Sequence, residues 1–338
     1  YTDDGIIGIG PGDGRLPPPA IDRLKSFLVN SDPFYVTRFF EEHMGVRGGA
    51  RMSLGGVDTA LWDIVGKALG TPVFKLLGAY RDRVPVYVAT CQLHSPGEHA
   101  EEAVRYREDG VRAIKLRLHR QDHKDDLEVV KTVRDAVGDD MIIMVDANQN
   151  NHSPGYNYWS RRTAMWMAKK LDALEVYYLE DPLPLSDVEG LKQLADAVDM
   201  YISGGEQAQD VTQFASLLFR GALDIVETDI TMGARIGLTG SKKVAHIAES
   251  VGRMVIPHVF ISGVYGLHLA ATLQVAATLS ERVCPYVEYV LEPPALTVES
   301  LQGLLQTPIV LDGDGCVQVP QLPGIGIEIN EEFVKKYE

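Results

Sequence analysis

Basic charge is what this 338-residue chain is short of: Lys and Arg number 32 against 47 Asp and Glu, a formal net charge of −15. A surface that acidic repels nucleic acid and anionic membranes, so neither is an expected partner. Cysteine is scarce as well. Cys91, Cys284 and Cys316 are far apart and odd in number, which excludes a disulfide framework and predicts a cytoplasmic, reducing setting. No Cys or His pair stands at zinc-type spacing, so nothing here suits zinc. Long hydrophobic runs are missing too. The longest apolar stretch, residues 263–279, is interrupted by His268 and Gln274 and reads as a buried core helix, not a bilayer span. No signal peptide is visible. The chain opens on Tyr1, not Met, in what reads as a strand already under way, so residues are expected to precede it.

What is present describes a soluble globular protein of enzyme size, 45% apolar and 23% charged. Its length fits one barrel plus a smaller partner. Residues 5–10 (GIIGIG) read as a short strand and 11–19 as a Gly/Pro loop. Helices are expected near 20–28 and 33–44, followed by a Gly/Arg-rich loop at 45–51. In residues 54–69, Leu54, Val57, Leu61, Ile64, Val65 and Ala68 recur at helical spacing, and Gly70 with Pro72 supplies the stop. Residues 1–83 thus read as a small α+β domain.

From residue 84 the pattern repeats. Apolar or β-branched runs at 84–89, 113–118, 142–145, 176–179, 201–203, 225–227, 254–256 and 283–287 alternate with amphipathic helices. The helices read at 96–109, 125–137, 163–173, 185–198, 210–219, 238–251 and 265–279. Parallel strands need such crossovers, and eight units predict a closed (β/α)₈-type barrel over 84–300. The tail, 301–338, carries no ninth unit and is expected to return to the small domain.

Barrel chemistry sits at the C-terminal ends of strands. Six successive strands end in an ionisable residue: Asp146, Glu180, Glu206, Asp229, His258 and Glu288. The intervals are 34, 26, 23, 29 and 30 residues, each one βα unit. Any one of these, alone, reads as a solvated loop-end group; the joint register across six strands does not. Carboxylates crowded at one barrel mouth would repel and protonate unless a divalent cation neutralised them. Three on adjacent strands supply oxygen ligands, which suits Mg²⁺.

The run Asp146…Glu180-Asp-Pro…Gly-Gly-Glu206…Asp229…His258…Glu288, preceded by Lys115-x-Arg117, resembles the enolase superfamily, mandelate racemase subgroup. The helix containing Gly56-Val57-Asp58-Thr59-Ala60-Leu61-Trp62-Asp63 looks like that family's capping-domain helix. The resemblance spans nearly the whole chain. It implies an α/β protein with a TIM-like, modified (β/α)₇β barrel under an α+β cap. By the same resemblance, Asp146, Glu180 and Glu206 bind one Mg²⁺ per subunit, and His258 with Asp229 forms a base dyad. Barrel enzymes of this type are often symmetric homo-oligomers.

In the family the usual pattern on strand two is Lys-x-Lys, with the second lysine a base. Here that position is Arg117, whose guanidinium stays protonated and is better at holding a carboxylate. Lys115 shares its parity and reads either as a structural ion pair or as an acid–base group. Asn148 reads as a substrate contact or an ordinary turn residue. Arg47 and Arg51 read as partners of an acid sugar, or as surface residues. The aromatic, basic segment 150–162 reads as a specificity loop or a subunit contact, and His119, His152 and His268 as structural.

The mechanism expected is proton abstraction α to a carboxylate. Glu288 would be partly protonated by its anionic surroundings and would hydrogen-bond the substrate carboxylate. His258 would take the α-proton or assist the departing β-hydroxide, making an acid-sugar dehydratase. A racemase or epimerase is the alternative, with Lys115 opposite His258. A catalytically silent sugar-acid-binding protein is the reading from another class. Cycloisomerases are disfavoured, because their strand-six lysine is Asp229 here.

Overall fold

Hydrogen-bonding side chains set where most barrel helices begin. Ser95 accepts from the Glu98 amide while the Glu98 carboxylate reaches back to Ser95, a reciprocal cap with Pro96 at the first helical position. Asp122, Ser160, Asp187 and Asp210 each accept an amide of the first turn that follows. In the computed structural model of the protein, residues 1–12, 18–44, 54–150, 157–231 and 236–337 are described.

The N-terminal segment holds α1 (Pro18–Leu28), α2 (Val36–Phe39), α3 (Gly55–Ala68) and α4 (Val73–Leu76). The barrel follows as β1 (Arg83–Ala89), α5 (Pro96–Glu108), β2 (Ala113–Arg117), α6 (His123–Val137), β3 (Ile142–Asp146), α7 (Arg161–Asp172), β4 (Tyr178–Glu180) and α8 (Val188–Ala195). It continues as β5 (Tyr201–Gly204), α9 (Val211–Phe219), β6 (Ile225–Val226), α10 (Gly237–Ser250), β7 (Met254–Val255), α11 (Tyr265–Ala276) and β8 (Val287–Val290). The tail contains α12 (Val298–Gln302), β9 (Cys316–Gln318) and α13 (Glu331–Tyr337).

The eight barrel strands pair in parallel, in the order β7-β6-β5-β4-β3-β2-β1-β8. Between β7 and β8 the curl is spanned by two backbone bonds, Val255 N to Val283 O (2.8 Å) and Glu288 N to Pro257 O (3.4 Å). Inward Val, Ile, Leu and Tyr side chains fill the interior, so it is a packed core and not a pore. The α/β barrel read from the sequence is therefore the fold found. No described helix is long and apolar enough to cross a membrane.

Helix α3 connects three parts of the chain. Buried Asp58 accepts from the Thr239 amide (2.9 Å) and hydroxyl (2.7 Å) on α10. Burial lifts its carboxyl to about 6, against those bonds. Asp63, one turn on, accepts from Ile9 N and Ile325 N, both at 2.9 Å, and pairs with Lys67. Gly237 has φ +56°, and a side chain there would meet Asp58 Oδ2 at 2.4 Å.

Several expectations need correcting. Residues 5–10 form no strand. Their backbone lies on α3 so closely that a Cβ at Gly8 would meet Ala60 O at 2.3 Å. The helix expected at 33–44 is one turn of α2 followed by a π-helical turn, Phe40–Met44. Strand eight starts at Val287, not Val283, because the Val283 and Cys284 amides fold back onto Ser280 O. Glu288 is thus inside the strand, paired with Tyr87. The tail touches the N-terminal segment, Ile325 N donating to Asp63 and Gly324 O accepting from Val73 N, and in addition β9 pairs antiparallel with the start of β1.

Candidate active site

Strand register sets one row of side chains across the barrel mouth: Arg117 opposite Asp146, Asp146 opposite Glu180, Glu180 opposite Ser203. Partners in register on adjacent strands point to the same face, so all look inward. Lys115, two residues before Arg117, shares that face. Its Nζ donates to Glu180 Oε2 at 2.6 Å and lies 3.1 Å from Glu288 Oε1. Arg117 Nη2 is 3.8 Å from Asp146 Oδ2. His258 Nδ1 is 2.8 Å from Asp229 Oδ2. Its Nε2 faces Glu206 Oε2 at 3.0 Å and Glu288 Oε2 at 3.7 Å. Eight of the residues singled out in the sequence therefore meet at one place. Arg47, Arg51 and His152 lie outside the described residues, as does part of the 150–162 segment.

Burial turns these contacts into strong electrostatics, because little water is present to screen them. Burial pushes the Glu180 carboxyl up, the charge of Asp146 adds to it, and it reaches about 7 despite Lys115. Asp229 goes the other way. Burial raises it, but His268, His258 and the Thr231 amide hold it at about 2. Burial lowers His258, yet Glu206, Glu288 and Asp229 together raise it to about 10. Lys115, between Glu180 and Glu288, is held well above its ordinary value although burial opposes it.

Glu288 corrects an expectation. Its surroundings are cationic: burial raises its carboxyl, but Lys115, His258 and the Val259 amide (2.9 Å) outweigh that and keep it below the usual range. In this arrangement it accepts hydrogen bonds and does not donate. Asn148 is buried with φ +48°, a conformation Asn tolerates, and its amide donates to Asp146 Oδ1 at 2.8 Å. That geometry favours the turn reading.

Three residues were passed over in the sequence. Glu227 is fully buried, and burial together with the charge of Glu180 pushes it well above the usual range. It accepts from Ser203 Oγ and sits against Glu180 as a neutral acid. Its parity with Asp229 was the available signal. Asp181, after Glu180, is also buried and raised, first by burial and then by Glu206 and Glu180. His268, taken as structural, lies with Nε2 3.6 Å from Asp229 Oδ1, behind the dyad.

Asp146, Glu180 and Glu206 offer oxygen alone and are buried to 6%, 1% and 8% exposure, and burial, Asp146 and Glu206 all raise the Glu180 carboxyl. That donor set fits a hard divalent cation. Each carboxylate here rests on a cationic side chain: Arg117, Lys115 or His258. Among the described residues, the trio whose ligand atoms all lie within 4.8 Å is a different one: His94, His99 and Glu102. The expectation that no Cys or His pair stands at zinc-type spacing fails at His94 and His99, which have four residues between them.

The family described as "Enolase C-terminal domain-like" matches residues 98–333, and "Mandelate racemase / muconate lactonizing enzyme, N-terminal domain" matches residues 1–78. The chain belongs to the mandelate racemase/muconate lactonizing enzyme family of the enolase superfamily. Among this family's curated members, arabinonate dehydratase of Saccharolobus solfataricus is 29% identical, over 99% of this chain and 88% of its own. L-talarate/galactarate dehydratase of Salmonella typhimurium is 31% identical, over 90% and 71% respectively. A racemase from Streptomyces coelicolor with bound magnesium superposes with a TM-score of 0.82 at 25% identity, covering 99% of this chain and 89% of that one. The 3,6-anhydro-D-galactonate cycloisomerase from Zobellia galactanivorans does so at 0.82 and 26%, covering 100% and 92%. Cycloisomerases thus stand among the chains it resembles end to end.

Proposed function

We propose that the protein is a Mg²⁺-dependent acid-sugar dehydratase, converting an aldonate or aldarate to a 2-keto-3-deoxy acid. The observation that carries this reading is the His258–Asp229 pair, with Nε2 aimed at the carboxylate-lined mouth. Asp146, Glu180 and Glu206 would hold the cation. When bound, it polarises the substrate carboxylate and stabilises the enediolate that proton loss creates.

The rest falls to this chain's side chains. Asp229, ionised at about 2, fixes the Nδ1 proton of His258 and leaves Nε2 as the atom that exchanges protons with substrate. With three carboxylates around it, His258 is held as a cation. The largest upward push comes from Glu206, so a cation held by Glu206 would weaken that push and favour the neutral form a base requires. Having taken the α-proton at Nε2, the imidazolium returns a proton to the β-hydroxyl as it leaves as water. The enol so formed tautomerises to the 2-keto acid. Arg117 holds substrate charge, and Lys115 orients Glu180 and Glu288.

Two-base racemisation gains nothing here, because Lys115 is locked as a cation between two carboxylates. The deciding experiment is a turnover screen of C4 to C6 aldonic and aldaric acids with Mg²⁺, reading 2-keto product. Solvent deuterium entering substrate with inversion and no 2-keto product would establish an epimerase instead. Tight binding across the panel with neither reaction would mark a silent binding protein.

A further inference from the structure

The side chains of His94, His99 and Glu102 meet where the β1–α5 loop turns into α5. His99 and Glu102 are one turn apart on the same face of the helix, and His94 stands just before its cap. His94 Nδ1 lies 3.3 Å and His99 Nδ1 3.5 Å from the Glu102 carboxylate. The two rings are 5.2 Å apart, centroid to centroid.

Two further observations point to a ligand. His99 is 0% exposed, yet among the described residues its Nε2 has no hydrogen-bond partner and its Nδ1 has only the long 3.5 Å approach to Glu102. Leaving a buried polar atom unpaired is costly, because its hydration is lost with nothing in return. Two of the three spacings, 3.3 and 3.5 Å to Glu102, are close to those around a small tetrahedral ion, whose bonds of about 2.0–2.1 Å put ligand atoms about 3.3–3.4 Å apart, and all three ligand atoms lie within 4.8 Å of one another.

We propose that His94, His99 and Glu102 form a second cation site, for Zn²⁺ or a similar transition-metal ion. Its two nitrogens and one oxygen separate it from the all-oxygen set at the mouth, since imidazole prefers Zn²⁺ to Mg²⁺. His94, its side chain one-quarter exposed, provides the way in and leaves the fourth position to water. Arg105 Nη2, 3.8 Å from Glu102 on the solvent side, is the one cation that competes among the described contacts. Arg120 holds the loop from the other flank, donating to His94 O at 2.5 Å. A bound ion would pin the β1–α5 loop to α5 beside the mouth, independently of which reaction the mouth performs.

Metal-stripped protein in saturating Mg²⁺ should take up one Zn²⁺ per chain by equilibrium dialysis, and Co²⁺ should give the intense visible absorption of a tetrahedral site. His99→Gln and His94→Gln should each weaken uptake at least ~10-fold and abolish the Co²⁺ band. Absence of Zn²⁺ uptake in excess Mg²⁺ overturns the proposal, and so does uptake unchanged in both variants. If His99→Gln fails to fold, the more exposed His94→Gln decides alone.

Discussion

The two halves of the barrel mouth use the same residue types to opposite ends. On β3 to β5, Asp146, Glu180 and Glu206 face one another, and burial with mutual repulsion drives Glu180 up to about 7. On β6 to β8, Asp229 and Glu288 face histidine and lysine, and Asp229 is driven down to about 2. Side-chain chemistry is shared; the partner decides what each carboxylate does. The first half accumulates negative charge that calls for a cation, and the second fixes a proton at a chosen nitrogen.

The sharpest way to separate the halves is to remove the proton carrier alone. His258→Asn should lower kcat at least ~10²-fold, the lower range for general acid–base catalysis, while Mg²⁺ affinity is retained. Asp229→Asn should fall between that variant and wild type. Turnover near wild type in His258→Asn would transfer the base role to Lys115.

Stability in chelator gives a contrast of sign. A carboxyl depressed from 3.8 to about 2 contributes roughly 2 kcal/mol that is present above pH 4 and lost as pH falls through about 2. A carboxyl raised from 4.5 to about 7 does the reverse: its stability is present below pH 4.5 and lost as pH rises through about 7. At pH 8, Asp229→Asn should therefore melt below wild type, and Glu180→Gln should not. Equal losses in thermal melts would erase the distinction between the halves.

Glu206→Gln should keep the fold and weaken Mg²⁺ binding by at least ~10-fold in calorimetry, because one anionic ligand of three is gone. Unchanged binding would remove Glu206 from the cation half. The smallest effect is expected at Arg117, between the halves. Arg117→Lys keeps charge but loses the two-pronged contact, so KM should rise a few-fold with α-proton exchange through His258 intact. Inverting exchange in wild-type protein, read by NMR of recovered substrate in D₂O, would show a second base and favour an epimerase.

The barrel was legible because strand–helix alternation and strand-end residues follow fixed periods, and a period survives small errors at element boundaries. Asp146 to Glu288 could be named without knowing where β8 starts. What periodicity does not carry was lost. The protonation of Glu288 depends on Lys115 and His258, which come from other strands. Glu227 was hidden because its role lies in contact with Glu180, 47 residues earlier in the chain. The segment 5–10 misled because its β-like composition serves close packing on α3 and not a ladder. His94 and His99, with four residues between them, stand at a spacing that zinc ligands use and were overlooked; Glu102 joins them only through the first turns of α5.

Helix α3 also constrains the order in which the molecule can be made. Its residues leave the ribosome early, but Asp58 finds Thr239 only 181 positions later, and Asp63 finds Ile325 after 262. Until then Asp58 lacks the amide and hydroxyl of Thr239, and Asp63 has Ile9 N and Lys67 but not Ile325 N. Contacts of such long sequence separation are slow to form, because loop closure must precede them. Throughout synthesis Asp58 therefore waits, still hydrated, for Thr239, and Asp63 for Ile325.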